Sequence, residues 1–465
     1  MLRDYQKSAV DMIRALFGSG HKKVLLHLAT GSGKTVIFSY VLKNSKVPAI
    51  MTVRGRKLVQ QASERLDREG VAHGVLMQGH LKYHPELPIQ ICSIDTLLAR
   101  KLTPEAKLIV IDEAHLATSP GYRSFLERYP GAFILGVTAT PYTEKTLEGI
   151  CDVVVHPINH AQLVKEGYLV PARYFAPSAP DVSGVAISRS TKDFVPEQLE
   201  AVMDTPTLTG DIVSHWKKLG KGPTLCFAVS VPHSEHIAAS FNAAGIPARH
   251  MDAFTPDPIR NDILRALTAG EIKVVSNVGV LSTGVDIPSL QTIILARPTK
   301  SYSLYIQQLG RGTRPYPDKK EFIVLDHAGN IHRHGFIEDE EPARLTGRVA
   351  RKTYLIHTCR SCFAVYTGSK CPACETPKES VGQCRVMQSV DGELTEITKK
   401  EKIAVDTTPA LAYYDNLLLK AKTWGFKRGW VFFELKKVFG ADIAATVCKQ
   451  RGLWSWGIDP KRTQN

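Results

Sequence analysis

A chain of 465 residues, 43% of them hydrophobic, is long enough for two or three domains with separate cores, and its composition is that of an ordinary globular protein. The opening Met1-Leu2-Arg3-Asp4 has no apolar signal core and no uninterrupted apolar run approaches a membrane span, so a soluble intracellular protein with no membrane partner is expected. A formal charge of +14 calls for an anionic partner, and nine cysteines, four of them in two close pairs, suit a reducing compartment and a metal site better than a disulfide framework.

Leu2 to Val10 starts an amphipathic helix, and Val24-Leu25-Leu26-His27-Leu28 reads as a buried strand. Thr30-Gly31-Ser32-Gly33-Lys34-Thr35 follows and opens a helix through Leu42. Glycines let backbone N–H groups turn inward onto anionic oxygens, and the helix adds its positive end. Lys34 would reach the β- and γ-phosphates of a nucleotide and the Thr35 hydroxyl would hold Mg²⁺. The strict form of this loop has glycine where Leu28 stands, which indicates a variant loop.

Further strands are expected at 49–53, 89–94, 108–111 and 133–137, alternating with helices, which implies a parallel sheet covered on both faces. The fourth strand ends in Asp112-Glu113-Ala114-His115. A carboxylate there can face the phosphate loop and hold Mg²⁺, while its neighbour accepts a proton from the water that attacks the γ-phosphate. The fifth strand ends in Thr138-Ala139-Thr140, whose hydroxyls can link the acidic pair to whatever the protein moves.

The ordered set Tyr5-Gln6, Gly31 to Thr35, Asp112 to His115 and Thr138 to Thr140 resembles the first half of a superfamily 2 helicase of DEAH-box type. The resemblance implies that Gln6 reads adenine, making ATP the nucleotide. It also implies that His115, Thr138 and Thr140 couple hydrolysis to movement, and that Arg54, in Thr52-Val53-Arg54-Gly55-Arg56, contacts a nucleic-acid strand. Ser93 to Leu97 resembles a second strand-contacting motif.

Residues 146–205 read as a connector, after a first lobe of residues 1–145. A second alternating series spans 206–345 without a phosphate loop, so ATP is expected between two similar lobes. The second lobe supplies Gln307, expected to act in coupling, and, three apart on one helical face, Arg311 and Arg314, able to stabilise charge on a departing phosphate. Val280 to Pro288 is similar to the helicase motif that couples ATP to the strand, with Gly284 and Asp286 in its key positions and Ser282 where threonine is usual.

Cys359-x-x-Cys362 and Cys371-x-x-Cys374 can close a tetrahedron around a structural Zn²⁺ within a ribbon-like element at 346–380. From residue 346 onward 20 lysines and arginines face 11 aspartates and glutamates, so +9 of the +14 lies in the last quarter. Four of five tryptophans are also there, and Lys427, Arg428 and Trp430 are the expected nucleic-acid contacts of a basic, aromatic domain at 381–465. A small helical core is the equally weighted reading of those aromatics. With the four-cysteine element added, the chain resembles the RadD group of bacterial and phage helicases, relatives of UvsW and of type I restriction translocases. That resemblance implies action in the cytoplasm of a bacterial or phage-infected cell on single-stranded, forked or branched DNA, in repair, recombination or replication, with a protein of those processes as partner. The expected architecture is α/β: two tandem RecA-like parallel-sheet lobes plus a small zinc-binding, basic C-terminal domain. RNA-dependent ATPase, translocation on duplex DNA without unwinding, and an ATP-switched adaptor are the alternatives.

Overall fold

The computed structural model describes residues 2–141, 146–176, 180–281, 287–339, 345, 356–359 and 361–377, and in the C-terminal stretch 411, 413–415, 417–418, 429–439, 444 and 447. The chain divides into two compact units, Met1–Ser380 and Val381–Asn465.

The first unit holds two α/β lobes. In the first, β1 (Lys23–His27), β2 (Ala49–Val53), β3 (Gly74–Leu76), β4 (Ile89–Ser93), β5 (Leu108–Asp112), β6 (Phe133–Thr138) and β7 (Val153–Val155) form a seven-stranded sheet. Its order is β3-β4-β2-β5-β6-β1-β7, with every pairing parallel. Strands buried on both faces need continuous apolar runs, and alternate residues then serve opposite layers. Leu26, Met51, Val110 and Leu135 pack with Tyr5, Ala9 and Ile13 of the helix Asp4–Gly18. Their neighbours Leu25, Ile50, Ile109 and Ile134 pack with Leu97 and Phe125 on the other side. The register sets His27 beside Thr138 and Asp112 beside Val137, so the phosphate loop, the acidic pair and the threonines leave the sheet at one edge.

The second lobe comprises β8 (Ala172–Phe175), β9 (Thr224–Phe227), β10 (Ala248–Met251), β11 (Val274–Asn277), β12 (Thr292–Leu295) and β13 (Phe322–Asp326). These also pair in parallel, in the order β10-β11-β9-β12-β13-β8. The stretch read as connector is therefore corrected: β7 completes the first sheet against β1, and β8 completes the second against β13. Runs of three and four residues, each on a sheet edge, are too short to show the periodicity by which strands are read.

An antiparallel hairpin, β14 (His357–Thr358) and β15 (Val365–Tyr366), has Cys359 and Cys362 between its strands, and Cys371 and Cys374 follow it. It covers the free edge of β8 through a Phe175 to Ala364 bridge and a 3.1 Å bond from the Ala176 N–H to the Phe363 carbonyl. Cys359, Ala364, Tyr366 and Cys371 are buried in one cluster with Phe175, Ile323 and Leu325, so the hairpin shares the second lobe's core.

In the second unit, the helix Gly429–Phe439 contributes Val431, Phe432 and Leu435 to a core with Tyr414, Leu417, Ala444 and Val447. Trp430 is half-buried against that core. Lys427 and Arg428 lie outside the described residues. Among the described residues, no helix is long and apolar enough to cross a membrane.

Candidate nucleotide and catalytic site

The phosphate loop runs from the end of β1 to the helix Lys34–Lys43. Gly31 and Gly33 have φ of 85° and 80°, the left-handed region that costs a residue with a Cβ about 1–2 kcal/mol. Space forbids a side chain as well: a Cβ on Gly33 would lie 2.7 Å from Gln6 Nε2, and one on Gly31 2.8 Å from Thr313 Oγ1. Lys34 Nζ donates to the Leu28 and Ala29 carbonyls at 3.3 and 3.2 Å, so the ammonium lies within the curl of the loop. The Thr30 hydroxyl is buried and has no hydrogen-bond partner among the described residues, and Thr35 is exposed on the first helical turn. This donor set, with its glycine cradle, fits a polyphosphate.

Gln6 is buried and spans two elements. Its Oε1 accepts from the Arg3 N–H at 3.0 Å, and its Nε2 donates to the Ser32 carbonyl at 3.3 Å. Tyr5 donates its hydroxyl to the same carbonyl at 2.5 Å. The Tyr5 ring also packs on Tyr168, their centroids 5.1 Å apart, and the Arg3 guanidinium lies 4.8 Å from the Tyr168 ring centre. Tyr168 and Arg3 had no signal in the sequence, because Tyr168 falls in the stretch that resembled a connector. We expect Gly33→Ala to weaken nucleotide affinity about tenfold or more, the left-handed strain being about 1–2 kcal/mol; equilibrium binding of a fluorescent ATP analogue checks this.

Asp112 ends β5, and Glu113 follows in the left-handed region, with φ 50° and ψ 54°. Such a conformation in a residue with a Cβ stores strain at the point where the backbone leaves the sheet for the short 3₁₀ turn Ala114–Thr118. Desolvation raises the Asp112 carboxyl well above the usual range, the adjacent Glu113 raises it further, and Lys34 opposes both. Desolvation likewise raises Glu113, against the pull of Lys34 and Arg311. Two desolvated carboxyls beside the phosphate loop suit a divalent cation. His115 is pushed down to about 4 by burial and by Lys34, so it is neutral near pH 7. Its Nδ1 lies 3.3 Å from Glu113 Oε2, 3.0 Å from Thr138 Oγ1 and 3.4 Å from Thr140 Oγ1. The sequence-identified trio His115, Thr138 and Thr140 is thus one polar contact set behind Glu113.

The second lobe reaches this site through the turn after the helix Tyr302–Leu309. The expectation that Arg311 and Arg314 share a helical face is corrected: the helix stops at Leu309, and both arginines lie in the irregular segment beyond it. Gly312 N–H closes onto the Leu309 carbonyl at 2.9 Å, and Gly312 lies flat on Phe322, where a Cβ would come within 2.2 Å of the ring. Gly310 lies as closely on Thr30, whose Cγ2 would be 2.2 Å from a Cβ there. Thr313 Oγ1 lies 3.4 Å from the Thr30 carbonyl, and the Thr313 carbonyl accepts from the Val170 N–H at 2.8 Å. Arg311 lowers the Glu113 carboxyl electrostatically, so its charge is felt across the lobe boundary. Gln307 is half-buried on the last turn of the helix, while Gly284 and Asp286 lie outside the described residues.

Of the other sequence-identified residues, Arg54 is exposed and its Nε lies 3.6 Å from Asp95, which joins the two segments that resembled strand-contacting motifs. The four cysteine sulfurs lie within 4.8 Å of one another. Cys359 Sγ to Cys374 Sγ is 3.5 Å and Cys362 Sγ to Cys371 Sγ is 3.6 Å, close to the roughly 3.8 Å edge of a tetrahedron with Zn–S bonds near 2.3 Å. The Thr376 hydroxyl and backbone N–H hold the Cys374 thiol below the usual range, which favours the thiolate a metal needs.

Comparison with known proteins shows what each lobe is similar to. Residues 1–143 match the family described as type III restriction enzyme, res subunit, and residues 207–315 match the helicase conserved C-terminal domain. The first lobe is thus similar to that restriction-enzyme family and the second to the helicase C-terminal domain. The chain is 28% identical over 365 residues to a Saccharomyces cerevisiae protein named as the ATP-dependent helicase IRC3, covering 71% of this chain and 52% of that one. A 51.5 kDa protein of a Lactococcus phage is 29% identical over 312 residues, covering 66% and 65%. The chain thus spans about half to two thirds of the length of these relatives. A fragment of an HsdR subunit of a type I restriction enzyme from Vibrio vulnificus superposes with a TM-score of 0.57 at 22% identity, covering 73% of this chain and 67% of that one. The DNA-bound type ISP restriction-modification enzyme LlaBIII gives 0.54 at 16%, covering 70% and 28%. Both likenesses concern the fold, two RecA-like parallel-sheet lobes.

Proposed function

We propose that this chain is a nucleic-acid-dependent ATPase that moves along or remodels DNA, with one catalytic centre assembled from both lobes. The observation that carries the reading is that the arginine-bearing turn of the second lobe closes on the phosphate loop of the first: Gly310 and Thr313 lie against Thr30, and a Cβ on Gly31 would meet Thr313 and Arg314. Gly31, Ser32, Gly33 and Lys34 hold the phosphates of ATP, and Thr35 with Asp112 holds Mg²⁺, which supplies charge neutralisation on the phosphate oxygens. Glu113 takes the proton of the attacking water, and Arg311 and Arg314 stabilise charge on the leaving phosphate. His115, on the turn after β5, transmits the state of Glu113 to Thr138 and Thr140 at and just past the end of β6. The finer assignment, a RadD- or UvsW-like enzyme of bacterial or phage-infected cytoplasm serving repair, recombination or replication with a protein partner from those processes, rests on the resemblance of the motifs and tail.

DNA as the polymer is supported by the +14 charge and by the fold shared with a DNA-bound restriction enzyme. The test compares strand separation on forked DNA, triplex displacement from duplex DNA and ATPase stimulation by RNA, all at one salt concentration. Unwinding of forks is expected. Triplex displacement alone would make the enzyme a duplex translocase, stimulation by RNA alone would overturn the DNA assignment, and response to none would favour the adaptor.

The four thiolates are proposed to hold a structural Zn²⁺. Because Cys359 and Cys371 are buried with Phe175, Ile323 and Leu325, loss of metal is expected to reach the second lobe. Cys371→Ser should release the bound zinc and lower the melting midpoint by about 5 °C or more, read by metal analysis and calorimetry. Full zinc content with an unchanged midpoint would contradict the assignment.

A further inference from the structure

We propose that Lys319 is a positioning residue for the arginine-bearing turn of the second lobe, acting behind the turn without touching nucleotide. The inference rests on the role proposed above for Arg311. Lys319 is 7% exposed, an unusual place for an ammonium, and its three hydrogen bonds all go to backbone carbonyls. Nζ donates to Gly312 at 2.7 Å, to Arg314 at 2.9 Å and to Pro288 at 3.2 Å.

These acceptors explain the burial. Gly312 and Arg314 flank Thr313, the residue that meets Thr30 of the phosphate loop and Val170 at the entry to the second lobe. Three carbonyl dipoles converging on one point repel one another unless a cation sits between them, and an ammonium has three protons for three acceptors. Pro288 belongs to a different segment, so one side chain ties the turn carrying both arginines to the end of the stretch that resembled the coupling motif. The turn Tyr316–Lys319, with Asp318 at φ 62°, delivers the side chain inward. Burial, helped by the neighbouring Arg314 charge, pushes the ammonium down to about 8, the cost of keeping a cation there. A tie that fixed only the fold could use an apolar side chain over Phe322. One that fixes two carbonyls on either side of Thr313 also fixes the directions in which Arg311 and Arg314 leave the backbone.

The test uses the full chain with Lys319→Met, Lys319→Arg, Arg311→Ala and the Lys319→Met, Arg311→Ala double variant. ATP affinity, steady-state kcat and melting midpoint are read for each. We expect Lys319→Met to bind ATP within about threefold of the wild type while kcat falls by about 10²-fold, the cost of a misplaced catalytic group. Lys319→Arg keeps the charge and should recover most of that loss. The double variant should lose far less than the product of the two single losses, because with Arg311 gone only Arg314 is left for Lys319 to position. A wild-type kcat for Lys319→Met, or losses that multiply in the double variant, would overturn the proposal. So would failure of both Lys319 variants to fold, which would assign Lys319 to stability alone. If Arg311→Ala itself turns over at the wild-type rate, the reading of the arginine turn fails first, and this inference falls with it.

Discussion

Replacing Glu113 with glutamine leaves ATP binding within about threefold of the wild type and lowers turnover by about 10²–10⁴-fold, the usual contribution of a general base. The shape of the side chain is kept and only the proton acceptor is lost. Binding persists because the groups proposed to hold phosphate, the Gly31 to Gly33 backbone and Lys34, lie on a different element from the β5 end. His115 cannot substitute: its Nδ1 is directed to Thr138 and Thr140, and burial keeps the ring neutral with little basicity. Equilibrium nucleotide binding and a phosphate-release assay on one preparation separate the two effects. Weakened binding with unchanged turnover per bound nucleotide would move Glu113 from the chemistry to the cradle.

The parts that local chemistry dictates were legible in the sequence. The phosphate loop is readable because only glycine accepts φ near 80° where a Cβ would lie 2.7 Å from Gln6 or 2.8 Å from Thr313. The acidic pair is readable because an Ile-Val strand ending in two carboxylates has few structural uses. The cysteine spacing likewise leads to four sulfurs at tetrahedral separations. What could not be read is whatever depends on partners distant in the chain. β7 and β8 are strands because β1 and β13 offer them edges, and neither announces itself over three or four residues. The helix before Arg311 stops at Leu309, and the turn beyond it passes where Phe322, downstream, leaves room only for glycine at 312. Lys319 stands between Asp318 and Lys320, and nothing in that local sequence marks it. Its burial depends on three carbonyls drawn from two segments.

Arg311→Ala is the second large effect, and it tests whether the lobes form one site. An arginine that meets the transferring phosphate is worth about 10³–10⁵ in kcat, while contributing little to ground-state binding. Turnover should therefore fall by about 10³-fold with ATP affinity nearly unchanged. Arg314→Ala is expected to fall in the same direction, since Arg314 packs next to the loop, its Cγ 3.6 Å from a Cβ position at Gly31. Lysine at 311 should recover only part of the rate, because a point charge lacks the planar fork of guanidinium. If both alanine variants lost affinity in proportion to turnover, the arginines would be ground-state contacts and the two-lobe site would be wrong.

The most direct measurement is single-turnover hydrolysis of ATP prebound to the full chain, with and without single-stranded DNA, at one fixed ionic strength because phosphate contacts are salt-sensitive. The rate should rise sharply with DNA in the wild type and stay low with DNA in Arg311→Ala. Equal rates with and without DNA, or an Arg311→Ala protein that responds to DNA as the wild type does, would contradict a catalytic centre completed by the second lobe.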